Sequence, residues 1–172
     1  MELTETGRNQ ALKLAALIKN TEFDAIYSSP LTRAKTTAET ASGRQVQTDQ
    51  RLTELDFGAW EGKTRSAFIK EDPGLWESWN ENPEVNRAGG NGESGGELVK
   101  RLDDFMDEIL KKHETGTILI VAHNGVNRFL IASLLGMPLR NYRKIVQENS
   151  SLTVLGYDKE EGFSLMKLNC RG

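Results

Sequence analysis

The first twenty residues carry the pattern of an amphipathic helix. Within residues 7–20 the apolar side chains recur at intervals of three and four residues, at Ala11, Leu14, Ala15 and Ile18. Thr4 precedes this stripe and has a side chain suited to an N-terminal cap. The pattern therefore predicts a helix over residues 7–20 with one apolar face.

A short apolar run at residues 25–27 is typical of a strand. It is closed by Ser28, Ser29 and Pro30. Ser29 suits a helix N-cap, and Pro30 suits the first helical position. We therefore expect this strand to feed directly into a helix over residues 31–41.

A second strand-to-helix unit lies in the C-terminal half. Ser94 and Glu97 form a capping box, which predicts the start of a long helix that runs to about His113. Residues 118–122 are continuously apolar, as in a parallel sheet that is covered by helices on both faces. Residues 125–136 then return as another helix.

The remaining segments complete an α/β domain. We expect a short strand around Val46, a loop over residues 51–62, and a partly helical excursion in which Trp76 and Trp79 belong to the core. Residues 152–155 and 163–166 read as a closing hairpin. The chain shows no linker and no repeat, so we predict one domain over residues 1–172. Its predicted fold is a three-layer α/β/α sandwich around a mostly parallel sheet.

The composition argues against several classes of protein and of binding partner. The 172 residues hold 22 Lys and Arg against 25 Asp and Glu, and a net charge of −3 gives no field for a nucleic acid or an anionic membrane. No apolar run reaches the roughly 20 residues of a membrane helix, and the N-terminus has no apolar signal segment. A single cysteine, Cys170, excludes an internal disulfide and a thiolate metal cluster. We therefore expect a cytoplasmic protein.

Two strand ends carry side chains that are suited to anion binding. In open parallel sheets, ligands collect beyond the carboxyl ends of the strands, where helix N-termini present N–H groups. Arg33 lies in the opening turn of its helix, where the helix dipole disfavours a cation. His123 ends the apolar strand just before Asn124 and Gly125. Taken singly, Arg33 also fits a solvated side chain and His123 a structural histidine, but their convergence favours a small-anion site.

The segment between these corners holds two candidate proton donors. Glu54 and Asp56 alternate with Leu55 and Phe57 just before a glycine. Either carboxyl could act as an acid or face solvent. If the apolar pair points into the core, alternation turns both carboxyls the other way, so the spacing leaves the choice between them open.

Two glycine-rich segments imitate nucleotide-binding motifs. Residues 58–64 have three residues between the glycines of a phosphate loop instead of four, and Glu61 stands where phosphate would approach. Residues 90–95 match the glycine spacing of a dinucleotide loop but follow no buried strand, so we expect them only to shape a loop. No motif predicts a metal site, and we expect His113 at the surface near a helix C-terminus.

Five blocks of residues occur in order along nearly the whole chain. They are Leu3-Thr4 with Gly7 and Gln10-Ala11, Ser28-Ser29-Pro30-Leu31 with Arg33-Ala34 and Thr37-Ala38, Leu52 with Glu54, Gly58 and Glu61-Gly62, Gly92-Glu93-Ser94, and Val121-Ala122-His123-Asn124-Gly125-Val126 with Arg128. In this order they resemble the histidine phosphatase, or phosphoglycerate mutase-like, superfamily. About forty residues separate Glu54 from Ser94. This short spacing resembles that of the small broad-specificity or α-ribazole phosphatase type.

The resemblance implies a phosphoglycerate mutase-like fold and a site that grips a phosphoryl group. It makes Arg33 a clamp on the phosphoryl oxygens and His123 a second positively charged or hydrogen-bonding contact to them. Glu54 becomes the acid that protonates the leaving alkoxide, and the backbone N–H of Asn124 completes the cradle. The implied ligand is a small phosphorylated metabolite or inorganic phosphate, with no cofactor and no metal.

The family's Arg-His-Gly run, whose histidine is transiently phosphorylated, is not among the 172 residues. In relatives this run ends the first strand, and neither His113 nor His123 matches it. We therefore expect a sheet without its first strand, an exposed strand edge that favours homo-oligomers, and a nucleophile encoded upstream. The leading hypothesis is a phosphomonoesterase completed by that segment. The alternatives are a non-catalytic phosphate- or partner-binding remnant and, more weakly, a phosphoglycerate mutase.

Overall fold

The computed structural model describes residues 2–171. Its α-helices in that range are α1 (Glu5–Ile18), α2 (Thr32–Ser42), α3 (Arg65–Glu71), α4 (Pro73–Glu81), α5 (Gly95–Lys112) and α6 (Asn124–Leu134). Its strands are β1 (Ala25–Ser28), β2 (Gln47–Thr48), β3 (Ile118–Val121), β4 (Leu152–Asp158) and β5 (Gly162–Cys170). Short 3-10 turns cover Gln50–Leu52, Gly58–Trp60, Ala88–Gly90 and Leu139–Lys144.

The central sheet is parallel and has the strand order β2-β1-β3. Alternate side chains of its strands enter two separate cores. Ile26 and Leu119 pack with α1 and α2 on one face, whereas Tyr27 packs with α5 and α6 on the other. The predicted three-layer α/β/α arrangement is confirmed.

The predicted helix starts are confirmed for two helices and wrong for a third. Thr4 caps α1, and Ser94 with Glu97 forms the capping box of α5. Helix α2, however, begins at Thr32, so Ser29 is not its N-cap and Pro30 precedes the helix. The reason is that the N–H of Ser29 donates to the carbonyl of Val121 at 3.0 Å, which extends the strand pairing by one residue.

Strand β3 is less covered than its apolar sequence predicts. Leu119 is buried, but Ile118, Ile120 and Val121 are only half-buried. Within residues 2–171, β3 pairs with β1 alone, and β4 and β5 form a separate antiparallel hairpin. The closing hairpin is thus confirmed, whereas full burial of the apolar strand was wrong for the described part of the chain.

The excursion between Glu54 and Ser94 contains the helices α3 and α4. Trp79 is 1% exposed and donates a hydrogen bond from Nε1 to Tyr142 Oη at 3.2 Å, as expected of a core residue. Trp76 is only half-buried, so the core expectation holds for it in part. Across the described residues, no helix has the length and apolarity needed to span a membrane.

Candidate active site

The ends of β1 and β3 bring Ser29 and His123 into contact. The register pairs Ser28 with Val121, so both strands leave the sheet at the same level. His123 is 6% exposed, and its Nε2 lies 2.8 Å from Ser29 Oγ. The same hydroxyl oxygen accepts the N–H of Leu31 at 3.3 Å. The two strand-to-helix corners therefore meet at one edge of the sheet, where α2 and α6 both begin.

Arg33 faces this edge from the first turn of α2. Its positive charge acts on two groups, since it lowers the pKa of Glu54 and also that of His123. Among residues 2–171, no carboxylate forms an ion pair with Arg33. The guanidinium is thus available to an exogenous anion.

The structure separates the two candidate carboxyls. Glu54 Oε1 accepts the N–H of Leu55 at 3.1 Å and that of Val126, at the start of α6, at 3.3 Å. Asp56 is exposed, and its Oδ1 accepts the N–H of Gly58 at 2.8 Å to close a turn. Glu54 therefore lies at the site, and Asp56 does not.

Gly125 allows the Glu54 carboxyl to approach the end of α6. A Cβ atom at position 125 would stand 2.8 Å from Glu54 Oε1, closer than such atoms pack without displacement. A side chain there would therefore push the carboxyl away from the helix N-terminus.

Burial raises the pKa of Glu54 above its usual value. Hydrogen bonds from Leu55 and Val126 and the charge of Arg33 act in the opposite direction but do not cancel the effect. The carboxyl consequently holds its proton to a higher pH than an ordinary glutamate. A general acid that works near neutral pH needs this property.

His123 is shifted toward its neutral form. Burial lowers its pKa to about 4, and the charges of Arg33 and Arg101 lower it in the same direction. At pH 7 the imidazole of the ligand-free protein is therefore uncharged. Of the two kinds of contact expected from His123, the hydrogen-bonding one fits this state, whereas a positive charge would need a bound anion to raise its pKa.

Asn124 is the first residue of α6, and its backbone N–H belongs to the turn that lacks partners within the helix. Its side-chain Nδ2 donates to the carbonyl of Gln147 at 2.7 Å, which ties the helix start to the segment before β4. Arg33, Glu54, His123 and Asn124 are thus brought to the same edge. Together they offer a cation, an acid and hydrogen-bond donors to a small anion.

Arg101 of α5 is a contributor that sequence reasoning missed. It donates to the carbonyl of Thr53 at 2.9 Å and pairs at two points with Glu93, at 2.7 and 2.9 Å. These contacts fix the backbone that leads into Glu54. Nothing in local spacing links Arg101 to a segment nearly fifty residues earlier in the chain.

The expected position of His113 at a helix C-terminus is confirmed, but its side chain is less exposed than predicted. His113 is half-buried at the end of α5, where its Nε2 lies 3.0 Å from Tyr27 Oη. Tyr27 belongs to the sheet face that packs on α5, so this histidine is held in the wall of the core. It is not one of the residues that meet at the Arg33 edge.

A cavity of about 520 Å³ has Glu54 in its wall but contains neither Arg33 nor His123. Its lining residues are Thr53, Glu54, Asp56, Arg87, Asn91, Gly92, Glu93, Glu97 and Arg101. Its two arginines are already paired, Arg87 with Glu97 and Arg101 with Glu93. The remaining charge of this cavity is acidic, which makes it a poor phosphate site.

The model of the histidine phosphatase superfamily (branch 1) matches residues 1–171. The chain is 30% identical over 171 residues to phosphoserine phosphatase 1 of Hydrogenobacter thermophilus, covering 98% of this chain and 80% of that protein. It is 32% identical over 173 residues to the adenosylcobalamin/alpha-ribazole phosphatase of Salmonella typhimurium, and the match covers 98% of this chain and 84% of that protein. The mycobacterial glucosyl-3-phosphoglycerate phosphatase in complex with inorganic phosphate superposes with a TM-score of 0.86 at 29% identity, over 98% of this chain and 87% of that one.

Proposed function

The chain belongs to the histidine phosphatase superfamily (branch 1), and on this premise we propose that it hydrolyses phosphomonoesters of small metabolites through a phosphohistidine intermediate. Its relatives include enzymes named as phosphatases of phosphoserine and of α-ribazole. One observation carries the proposal. A cation that has no ion pair within residues 2–171, a neutral imidazole and a helix N-terminus meet at one edge, beside a glutamate with a raised pKa.

The phosphoryl group would lie between the two helix starts. Arg33 clamps its oxygens, His123 donates a hydrogen bond to one of them, and the N–H of Asn124 takes a third contact. Phosphoryl transfer depends mainly on positioning and on donors placed where negative charge gathers on the equatorial oxygens. These three groups supply such donors without a metal.

Glu54 would act as the proton donor. Its raised pKa supports a protonated carboxyl that gives its proton to the leaving alkoxide as the P–O bond breaks. The resulting carboxylate then accepts a proton from the water that attacks the phosphohistidine. This second proton transfer restores the acid, and inorganic phosphate then leaves.

In our proposal, the attacking imidazole does not come from these 172 residues. Of the two histidines in the sequence, His123 contacts Ser29 and His113 contacts Tyr27. We assign the nucleophile to an Arg-His-Gly segment that pairs along the open edge of β3, next to His123. The half-buried side chains of β3 support a strand at that position.

A non-catalytic phosphate-binding protein is the second candidate, since both histidines are already engaged. A phosphoglycerate mutase is a weaker one, because the excursion that holds α3 and α4 is shorter than the insertion that the family resemblance leads us to expect over the site of a cofactor-dependent mutase. The open β3 edge would also accept a strand from a second copy, and we include a homo-oligomer in the proposal. We place the protein in the cytoplasm on the grounds of its single cysteine.

The test compares the 172-residue chain with the same chain preceded by a strand that ends in Arg-His-Gly. We expect the extended chain to hydrolyse p-nitrophenyl phosphate and to form an acid-labile phosphoenzyme, and we expect Ala in place of the added histidine to abolish both. Turnover by the 172-residue chain that is lost in His123→Ala would show that His123 is the nucleophile and that our assignment is wrong.

Phosphate binding is tested separately, by thermal denaturation with phosphate or vanadate. A ligand at a hundredfold excess over its Kd stabilises the folded state by about 2.7 kcal/mol. Arg33→Gln should lose this stabilisation. Lys35→Gln, which removes an exposed charge from the same helix, should keep it. If neither phosphate nor vanadate raises the melting temperature of the parent protein, the proposed clamp does not exist.

A further inference from the structure

Two arginine side chains lie over the Trp76 ring, and a third acts on one of them; none of the three has been given a role above. The guanidinium carbons of Arg65 and Arg143 each lie 4.7 Å from the centre of the Trp76 ring. Burial lowers the pKa of Arg143, and the charges of Arg65 and Arg128 lower it further, against the opposing effect of Tyr142. The three arginines come from three elements, namely α3, α6 and the 3-10 turn Leu139–Lys144.

This arginine cluster has no acidic counterpart in the described part of the chain. None of the three residues forms an ion pair within residues 2–171. The Nε atoms of Arg128 and Arg143 are buried and have no hydrogen-bond partner. Stacking on Trp76 offsets part of the cost but does not remove the repulsion between the cations. An anion bound among them would satisfy both the charge and the donors.

The arginine cluster lies next to the proposed phosphoryl site. The carbonyl of Gln147 accepts Asn124 Nδ2 at 2.7 Å and also Arg128 Nη2 at 3.5 Å. Arg128 follows Asn124 by about one turn of α6, and helical side chains lean toward the helix N-terminus. The Arg128 guanidinium therefore stands within the length of a small metabolite from the first turn of α6.

Resting on the proposed function, we propose that Arg65, Arg128 and Arg143 bind a carboxylate carried by the substrate. The preferred substrates are then phosphomonoesters with a carboxylate a few bonds from the phosphate. A guanidinium matches a carboxylate in a planar, two-point geometry. Contact with the Trp76 ring restricts two of the three guanidinium groups, so that less freedom is lost when the carboxylate binds.

The test measures binding to the 172-residue chain by titration calorimetry, so it does not depend on turnover. O-phosphoserine and O-phosphoethanolamine differ only by the carboxylate. We expect phosphoserine to bind about tenfold more tightly, the effect of one or two charge-assisted hydrogen bonds. Arg65→Gln and Arg143→Gln should each reduce this preference severalfold and leave the affinity for phosphoethanolamine unchanged. Arg140→Gln, an exposed arginine on the same turn as Arg143, should keep the full preference.

The outcomes separate this inference from the proposed function. Equal affinity for the two ligands, or a preference that survives both substitutions, overturns the carboxylate site alone. If neither ligand nor inorganic phosphate binds, the proposed function fails and this inference fails with it. Arg143 is half-buried, but Arg65 is exposed, so Arg65→Gln gives the comparison even if the Arg143 variant does not fold.

Discussion

Acidification is expected to destabilise the protein through His123. Burial, together with the charges of Arg33 and Arg101, lowers the pKa of this imidazole from 6.5 to about 4. Between these two values the unfolded chain binds a proton that the folded chain does not. The stability contributed by neutral His123 is therefore fully present above pH 6.5 and is lost as the pH falls toward 4.

The size of the effect follows from the two pKa values. Each pKa unit corresponds to about 1.4 kcal/mol, so the whole displacement is worth about 3 kcal/mol, of which about 2 kcal/mol is lost by pH 5. The side chain is only 6% exposed, so water screens little of this difference. A loss of this size is a large fraction of the stability of an ordinary domain.

The assay is urea unfolding of the parent protein and of His123→Gln at pH 7.5, 6 and 5. Other titrating groups act on both proteins, so the difference between the two curves isolates His123. We expect the parent to lose about 2 kcal/mol more than the variant between pH 7.5 and 5. Saturating phosphate should reduce that loss, since an anion beside the ring raises its pKa. If the unfolding free energies of the parent and of His123→Gln fall by the same amount between pH 7.5 and 5, the reasoning is refuted.

Two further substitutions test the Glu54 corner. Glu54→Gln should lower the turnover of the extended chain by about 10²- to 10⁴-fold, since an amide gives no proton. Its unfolding free energy at pH 7.5 should not fall, because the amide oxygen still accepts the N–H of Val126 and no buried charge remains; a drop would contradict the raised pKa. Gly125→Ala should reduce the turnover of the extended chain by displacing the Glu54 carboxyl, whereas Gly74→Ala, which meets only ordinary contacts, should not. Equal turnover by the two alanine variants would exclude the crowding.

The meeting of Arg33 and His123 could be predicted because the sheet geometry requires it. Parallel neighbouring strands end at the same edge, and β1 and β3 are both short apolar runs that turn directly into helices. The exact start of α2 could not be predicted. Ser29 and Pro30 satisfy the local rules for a helix start, but one hydrogen bond to Val121 in the neighbouring strand overrides them.

The choice between Glu54 and Asp56 needed the three-dimensional structure. Their alternation with apolar residues is the same, and the difference arises from Val126, which lies some seventy residues later and donates its N–H to Glu54 alone. Arg101 could not be predicted for the same reason, because the acceptors that link it to the segment before Glu54 are backbone carbonyls, which carry no sequence signal. Long-range contacts to the backbone are thus the part of this site that residue patterns do not encode.

Burial acts on the two titratable groups of the site in a single direction, toward neutrality. It raises the pKa of an acid, Glu54, and lowers that of a base, His123, so both are shifted toward their uncharged forms. Among the residues at this edge, Arg33 carries the positive charge that attracts a phosphate anion. An ionised Glu54 would repel the same anion across the first turn of α6. The buried corner between α2 and α6 therefore serves anion binding and proton donation together, and a change that exposes Glu54 and His123 to solvent should weaken both.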